Sequence, residues 1–299
     1  MLKPLQEQES IFSNIKVMKI KYRIVKNFNK EEQDELERLG INVSEGWDSF
    51  EIEENNQNFE PIKNMLHKDW DNVAQKKGYF SEKDRSLAPY LNIYANKMLG
   101  YAKPDDESIV DEYEYPFDIY PYYKGVFEII NTDKQFGILR GNQIGYYSLE
   151  DEPNWRGNEI ASANNIEDAF FVKPEVFEKI FRPLNIKSLP VINYKTQTKL
   201  ENVVQIVQQG ISKSHLIINK TQVKEKTHIV NWDIDKYVLS DDSYYPSFDS
   251  SPGEFDFFYT HEYFGTGGLT ERNTIISKKL YNILKTNNIK GLNYYPMKE

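Results

Sequence analysis

The chain has no cysteine among its 299 residues, which excludes disulfides, a thiolate nucleophile and any Cys-ligated metal. Histidine is scarce as well. His67, His215, His228 and His261 are the full set, and none stands at ligand spacing from another. His261–Glu262 opens like a zinc-helix motif, but the position four residues beyond His261 is Gly265. No metal and no cofactor are therefore expected. No apolar run approaches the roughly 18 residues of a membrane span. Residues 1–26 carry Lys and Glu where a secretory signal needs an apolar stretch. The expected setting is the cytoplasm, away from any membrane.

Reaction-bearing motifs are missing too. There is no G-x-S-x-G elbow. The one glycine-dense loop, FGTGGLTER from Phe264 to Arg272, lacks the Lys-Ser/Thr of a phosphate cradle and leads into a strand, so it reads as a flexible connection. Asp233, Asp235, Asp241 and Asp242 start like an acidic calcium loop, but the glycine of that turn is absent and Tyr237–Leu239 occupy ligand positions. The plainer expectation is a strand with Asp233 and Asp235 outward and Trp232 and Ile234 inward. Nothing selects a catalytic pair among 46 acids, and the chain is not expected to be an enzyme.

What the chain has is aromatic side chains and acid. It holds 21 Tyr and 17 Phe, and its net charge is −9. Residues 1–150 carry 19 Lys and Arg against 27 Asp and Glu; residues 151–299 carry 18 against 19. An acidic half repels nucleic acid and favours a basic partner.

Periodicity predicts a mixed α+β fold, with mixed and antiparallel sheets, flanking helices and two subdomains. Residues 1–155 form an acidic N-terminal α+β domain ending in a β-meander. Residues 160–299 form a C-terminal α+β domain beyond the polar, turn-rich stretch 150–165. In the first, Lys19–Val25 is a strand, and Asn29 with Glu32 makes a capping box for a helix that Gly40 stops. Asp48–Glu53 is a strand, Phe59–Val73 a helix and Leu87–Leu99 a further helix. The meander runs through Tyr123–Ile130, Gln135–Arg140 and Gln143–Leu149, with a tight turn at Gly141–Asn142. In the second domain, Phe170–Ile192 and Asn273–Pro296 share a strand–helix–strand layout and an Asn-Ile-Lys turn. Leu200, Val203, Val204 and Val207 mark an amphipathic helix closed by Gly210.

The sharpest candidate for binding is the run from Asp105 to Tyr120. Asp105, Asp106, Glu107, Asp111, Glu112, Glu114 and Asp118 are interleaved there with Tyr113, Tyr115 and Tyr120. Carboxylates would steer a basic partner in, and the rings would supply contact area at low entropic cost.

Three pieces of the C-terminal part carry a resemblance: HIVNWDIDKYVLSDDSYY from His228, FDFFY from Phe255, and the closing ERNTIISKKLYNILKTNNIKGLNYYP. Over roughly residues 165–299 the chain resembles the immunity proteins of bacterial polymorphic-toxin systems, of the myxobacterial type. Ser277, Gly291, Tyr295 and Pro296 fit that pattern of capped helix, Gly turn and final aromatic strand. The resemblance implies a non-enzymatic cytoplasmic protein that binds and neutralises a cognate toxin domain, such as a basic nuclease, and it brings no catalytic set with it. An enzyme with a carboxylate-based site and a general protein-binding scaffold stay open beside it, and the oligomeric state is not legible.

Overall fold

A computed structural model describes residues 18–103, 123–164, 166–240 and 243–297. The fold is mixed α+β with mostly antiparallel sheets, as expected. The chain divides into two compact units, Met1–Ser81 with Asp241–Ser243, and Glu82–Ser240 with Tyr244–Glu299. The division therefore falls at Ser81, not in the polar stretch 150–165, which runs inside the second unit.

In the first unit β1 (Lys19–Phe28) lies between β2 (Gly46–Glu53) and β3 (Ala74–Tyr79), antiparallel to both. The α1 helix (Lys30–Arg38) starts as its sequence demands. Asn29 accepts from the Glu32 amide at 2.9 Å, and Glu32 accepts from the Asn29 amide at 3.2 Å. Apolar faces of α1, α2 (Phe59–Met65) and α3 (Trp70–Val73) cover the sheet through Leu36, Phe59, Ile62 and Trp70. The single helix expected over Phe59–Val73 is thus two, separated by turns.

Among the described residues the second unit holds four sheets, of which two are large. The larger has six strands. In spatial order they are β5 (Met98–Tyr101), β9 (Ile160–Asn164), β10 (Ile166–Val172), β12 (Lys199–Val207), β11 (Lys187–Asn193) and β8 (Ser148–Leu149). The smaller runs β15 (Phe257–Tyr259), β17 (Thr274–Ser277), β4 (Tyr90–Ala95) and β18 (Leu292–Pro296). Both expected strand–helix–strand segments form. The first helix, α5, is continuous but mixed: an α turn at Pro174–Val176, a π turn at Phe177–Phe181 and a 3-10 turn at Arg182–Leu184. The second, α6 (Lys278–Thr286), is regular, and Ser277 caps it by accepting from the Leu280 amide at 3.1 Å. Phe177, Ile180 and Phe181 of α5 share one core with Leu280, Tyr281 and Leu284 of α6 and with Leu91, Ile93, Phe170 and Phe257 from the two sheets.

Three expectations fail here, each for a physical reason. Leu87–Leu99 is no helix. After α4 (Glu82–Leu87) the chain enters β4, where Leu91, Asn92 and Ile93 are all buried. A central strand covered on both faces loses the alternation that marks a strand. Nor is 200–207 a helix. A bulge where β12 pairs with β11 turns Leu200 and Val203 into the same core, so helical spacing arises within a strand. Gly141–Asn142 is likewise no turn. It lies within β7 (Gly137–Gln143), whose register with β6 (Phe127–Asp133) slips there, while β8 leaves the meander to pair with β11.

Gly291 shows how closely this unit is assembled. Its φ is +117°, and a Cβ there would stand 1.8 Å from the Ile160 carbonyl oxygen. The amides of Glu159 and Ile160 both donate to the Lys290 carbonyl at 3.1 Å. Only glycine lets this turn lie against β9.

Candidate functional site

A cleft of about 610 Å³ opens in the second unit, lined from β6, β7, β10, β12 and the segment from β15 to Arg272. The extended backbone of β7 places Arg140 on its floor. The guanidinium meets Asp168 of β10 through two hydrogen bonds of 3.3 and 2.6 Å, and lies 3.4 Å from Glu271. Tyr123 donates its hydroxyl to Glu271 at 2.6 Å. The rings of Tyr123 and Phe127 lie 4.3 and 4.8 Å from the guanidinium carbon. The side chains of Arg140, Asp168 and Glu271 are only 8–10% exposed.

Burying charge this deeply is costly unless every partner is supplied. One cation faces two carboxylates, so protonated hydroxyls have to carry part of the compensation. Burial, aided by Glu271 and Asp168, pushes the Tyr123 hydroxyl well above its ordinary pKa. Burial and then Asp168 do the same to Tyr259. Desolvation works against the charge on Arg140, but Asp168, Tyr123 and Glu271 more than offset it and hold the guanidinium protonated.

The rim differs from the floor. Arg272 stacks on Tyr263 at 4.1 Å and donates to its hydroxyl at 2.9 Å. Ile130 and Ile211 stand at the mouth, 61% and 46% exposed. The glycine loop that closes one side is held in place. Lys236, nearly buried, donates to the carbonyls of Gly267 and Leu269 at 2.5 and 3.2 Å, and Thr270 donates to the Phe136 carbonyl at 3.1 Å. A sequence reading of that loop as a flexible connection misses these bonds, because they come from β14 (Ile234–Leu239) and the β6–β7 hairpin.

No protein-family model, curated protein or solved structure matches the chain. The site therefore has to be read from its own chemistry. Asp168 and Glu271 are already engaged as acceptors, which makes the floor a fixed electrostatic platform, with aromatic, guanidinium and aliphatic groups above it. The ten expected contact residues, from Asp105 to Tyr120, lie outside the described residues. Arg140, Asp168 and Glu271 were not expected as a group. The one available signal was charge inside two strand-forming runs: Arg140 alone in Gly137–Gln143, and the adjacent Glu167 and Asp168 in Ile166–Val172.

The fold also joins side chains with no spacing in sequence. His215, His261 and Glu262 converge, with their ligand atoms within 4.8 Å of one another. Burial and then the charge of His215 lower the pKa of His261. His228 is separate and meets Asp235 at 3.0 Å. Asp233 sits in the turn before β14 at φ +52°, rather than in a strand as expected.

Proposed function

We propose that the chain is a non-enzymatic immunity protein of the polymorphic-toxin kind, one that occludes a cognate toxin domain in the cytoplasm. The observation that carries this reading is the cleft. Its carboxylates are tied to Arg140 and Tyr123, while its mouth carries the exposed Ile130 and Ile211 beside the half-buried Tyr263 and Arg272. Arg and aromatic anchors set on a rigid base are the usual centres of binding energy at protein interfaces. The excess of acid in residues 1–150 supports a basic partner drawn in by electrostatic steering. No helix among the described residues is long and apolar enough to cross a membrane.

Co-expression with the toxin encoded beside the gene tests the proposal. Growth should be rescued and a complex recovered, and continued killing with no complex would refute it. Asp111→Lys, Glu112→Lys and Glu114→Lys together should slow association at low salt and leave folding intact; an unchanged on-rate removes that run from the interface.

The same cleft favours a second reading, an enzyme with a carboxylate-based site, since its volume suits a small ligand. Glu271→Gln separates the two. It still accepts from Tyr123, so protection against the toxin survives in the binding reading, whereas turnover would be lost in the enzymatic one.

A further inference from the structure

We propose that His215, His261 and Glu262 form a binding site for one zinc-class divalent cation at the edge of the cleft. The three residues come from two loops. His215 lies between β12 and β13 (Val223–Ile229), and His261–Glu262 form the turn between β15 and β16 (Tyr263–Phe264). The His215 Nδ1 and Glu262 Oε1 atoms are 2.9 Å apart, and the two imidazole rings are 4.0 Å between centroids. All the ligand atoms fall within 4.8 Å of one another. Ligand atoms around tetrahedral zinc stand roughly 3.4 Å apart, given bonds of about 2.0–2.1 Å. A small rotation of the exposed imidazoles closes that difference.

Glu262 supplies the second, independent observation. Its side chain is 9% exposed, although both histidines lie at the surface. Oε1 accepts from the Leu216 amide at 3.1 Å, the sort of second bond that orients a ligating carboxylate. Oε2 is buried and has no hydrogen-bond partner among the described residues. A buried carboxylate oxygen without a partner is costly, and a cation shared with two imidazoles would remove that cost.

The turn itself is held from behind. Arg272 donates to the carbonyls of Thr260 and His261, and Thr260 donates to the Glu262 carbonyl at 3.0 Å. Two imidazoles and one carboxylate select zinc or cobalt over calcium and magnesium, which prefer all-oxygen sites. Three protein ligands leave a fourth position for water. Such a cation would tie the loop after β12 to the turn that leads into Tyr263 and so brace the rim of the cleft. This inference is independent of the toxin reading, because its test needs no partner.

The test uses the full chain without a histidine tag, stripped of metal with a chelator that is then removed. Titration with Co²⁺ should give the visible absorption of a four-coordinate site at one equivalent per chain, and Zn²⁺ should displace it. His215→Ala and His261→Ala should each weaken binding by more than about 10-fold, while His228→Ala should leave it unchanged. Both variants alter exposed side chains, and circular dichroism checks that they fold. His215→Gln and His261→Gln, which keep polarity at each position, should show the same loss. Absence of binding to the unaltered chain overturns the proposal, as does equal binding by the alanine variants.

Discussion

The two strand–helix–strand segments of the second unit make the same shape from different materials. In each, two strands flank a third that runs antiparallel to both: β10 and β11 around β12, and β17 and β18 around β4. Each helix leads into a residue in the left-handed region, Asn185 at φ +56° and Asn288 at φ +52°. Asp168 precedes Asn185 by the same chain length as Glu271 precedes Asn288, so equivalent positions supply the two carboxylates on Arg140. Phe177 and Phe181 likewise stand where Leu280 and Leu284 do, all four buried in one core.

The differences lie in how each copy is completed. The first takes its middle strand from the chain that follows it, the second from a strand far upstream. The first helix has no side-chain cap and holds Pro183, and its ladder widens to a π turn; the second has Ser277 and a regular turn. Local sequence shapes the outer strands and the helix, and tertiary contact supplies the middle.

The largest expected effect comes from removing what joins the two copies. Arg140→Met leaves Asp168 and Glu271 buried without their cation, and it should cost about 3–5 kcal/mol in chemical denaturation. A loss under about 1 kcal/mol would mean that the copies do not depend on the bridge.

Gly291→Ala tests the docking of the second copy alone. The clash with Ile160 and the positive φ together should cost about 3 kcal/mol, measured by the same unfolding curves. The equivalence of the turns is sharpened by Asn185→Ala and Asn288→Ala. Each forces alanine into the left-handed region and should cost about 1 kcal/mol, equally in both copies. A marked inequality would show that the turns differ in what they hold.

The smallest effect is in the acid range. Tyr281 of α6 donates to Glu82 at 2.6 Å, and that bond, against desolvation, lowers the carboxyl pKa. A pKa lower in the folded state than in the unfolded chain gives stability that is complete above the unfolded value. It is lost as pH falls from near 4.5 through the folded value. Glu82 is more than half exposed, so the contribution should be well under about 1 kcal/mol. Tyr281→Phe should flatten that part of the stability–pH curve; an unchanged curve would remove the bond from the account.

Much of this fold is legible in the sequence wherever local chemistry decides it. Asn29 and Glu32, Ser277, Gly40 and both Asn-Ile-Lys turns do locally what their residue types require. The middle strands were not legible. Leu91–Ile93 is buried on both faces, and Leu200 and Val203 share a face only through a bulge set by a neighbouring strand. The cleft is harder still, since Arg140, Asp168 and Glu271 meet only after the sheets are assembled. Each is an ordinary charged residue in its own stretch of chain.

The proposal that this protein acts by occlusion and leaves its partner chemically intact is most directly tested by titrating the purified chain against the proposed cognate toxin. Toxin activity should fall to zero at a fixed molar ratio while the toxin's intact mass stays unchanged. Neutralisation by a small fraction of an equivalent, with a shift in that mass, would contradict the account.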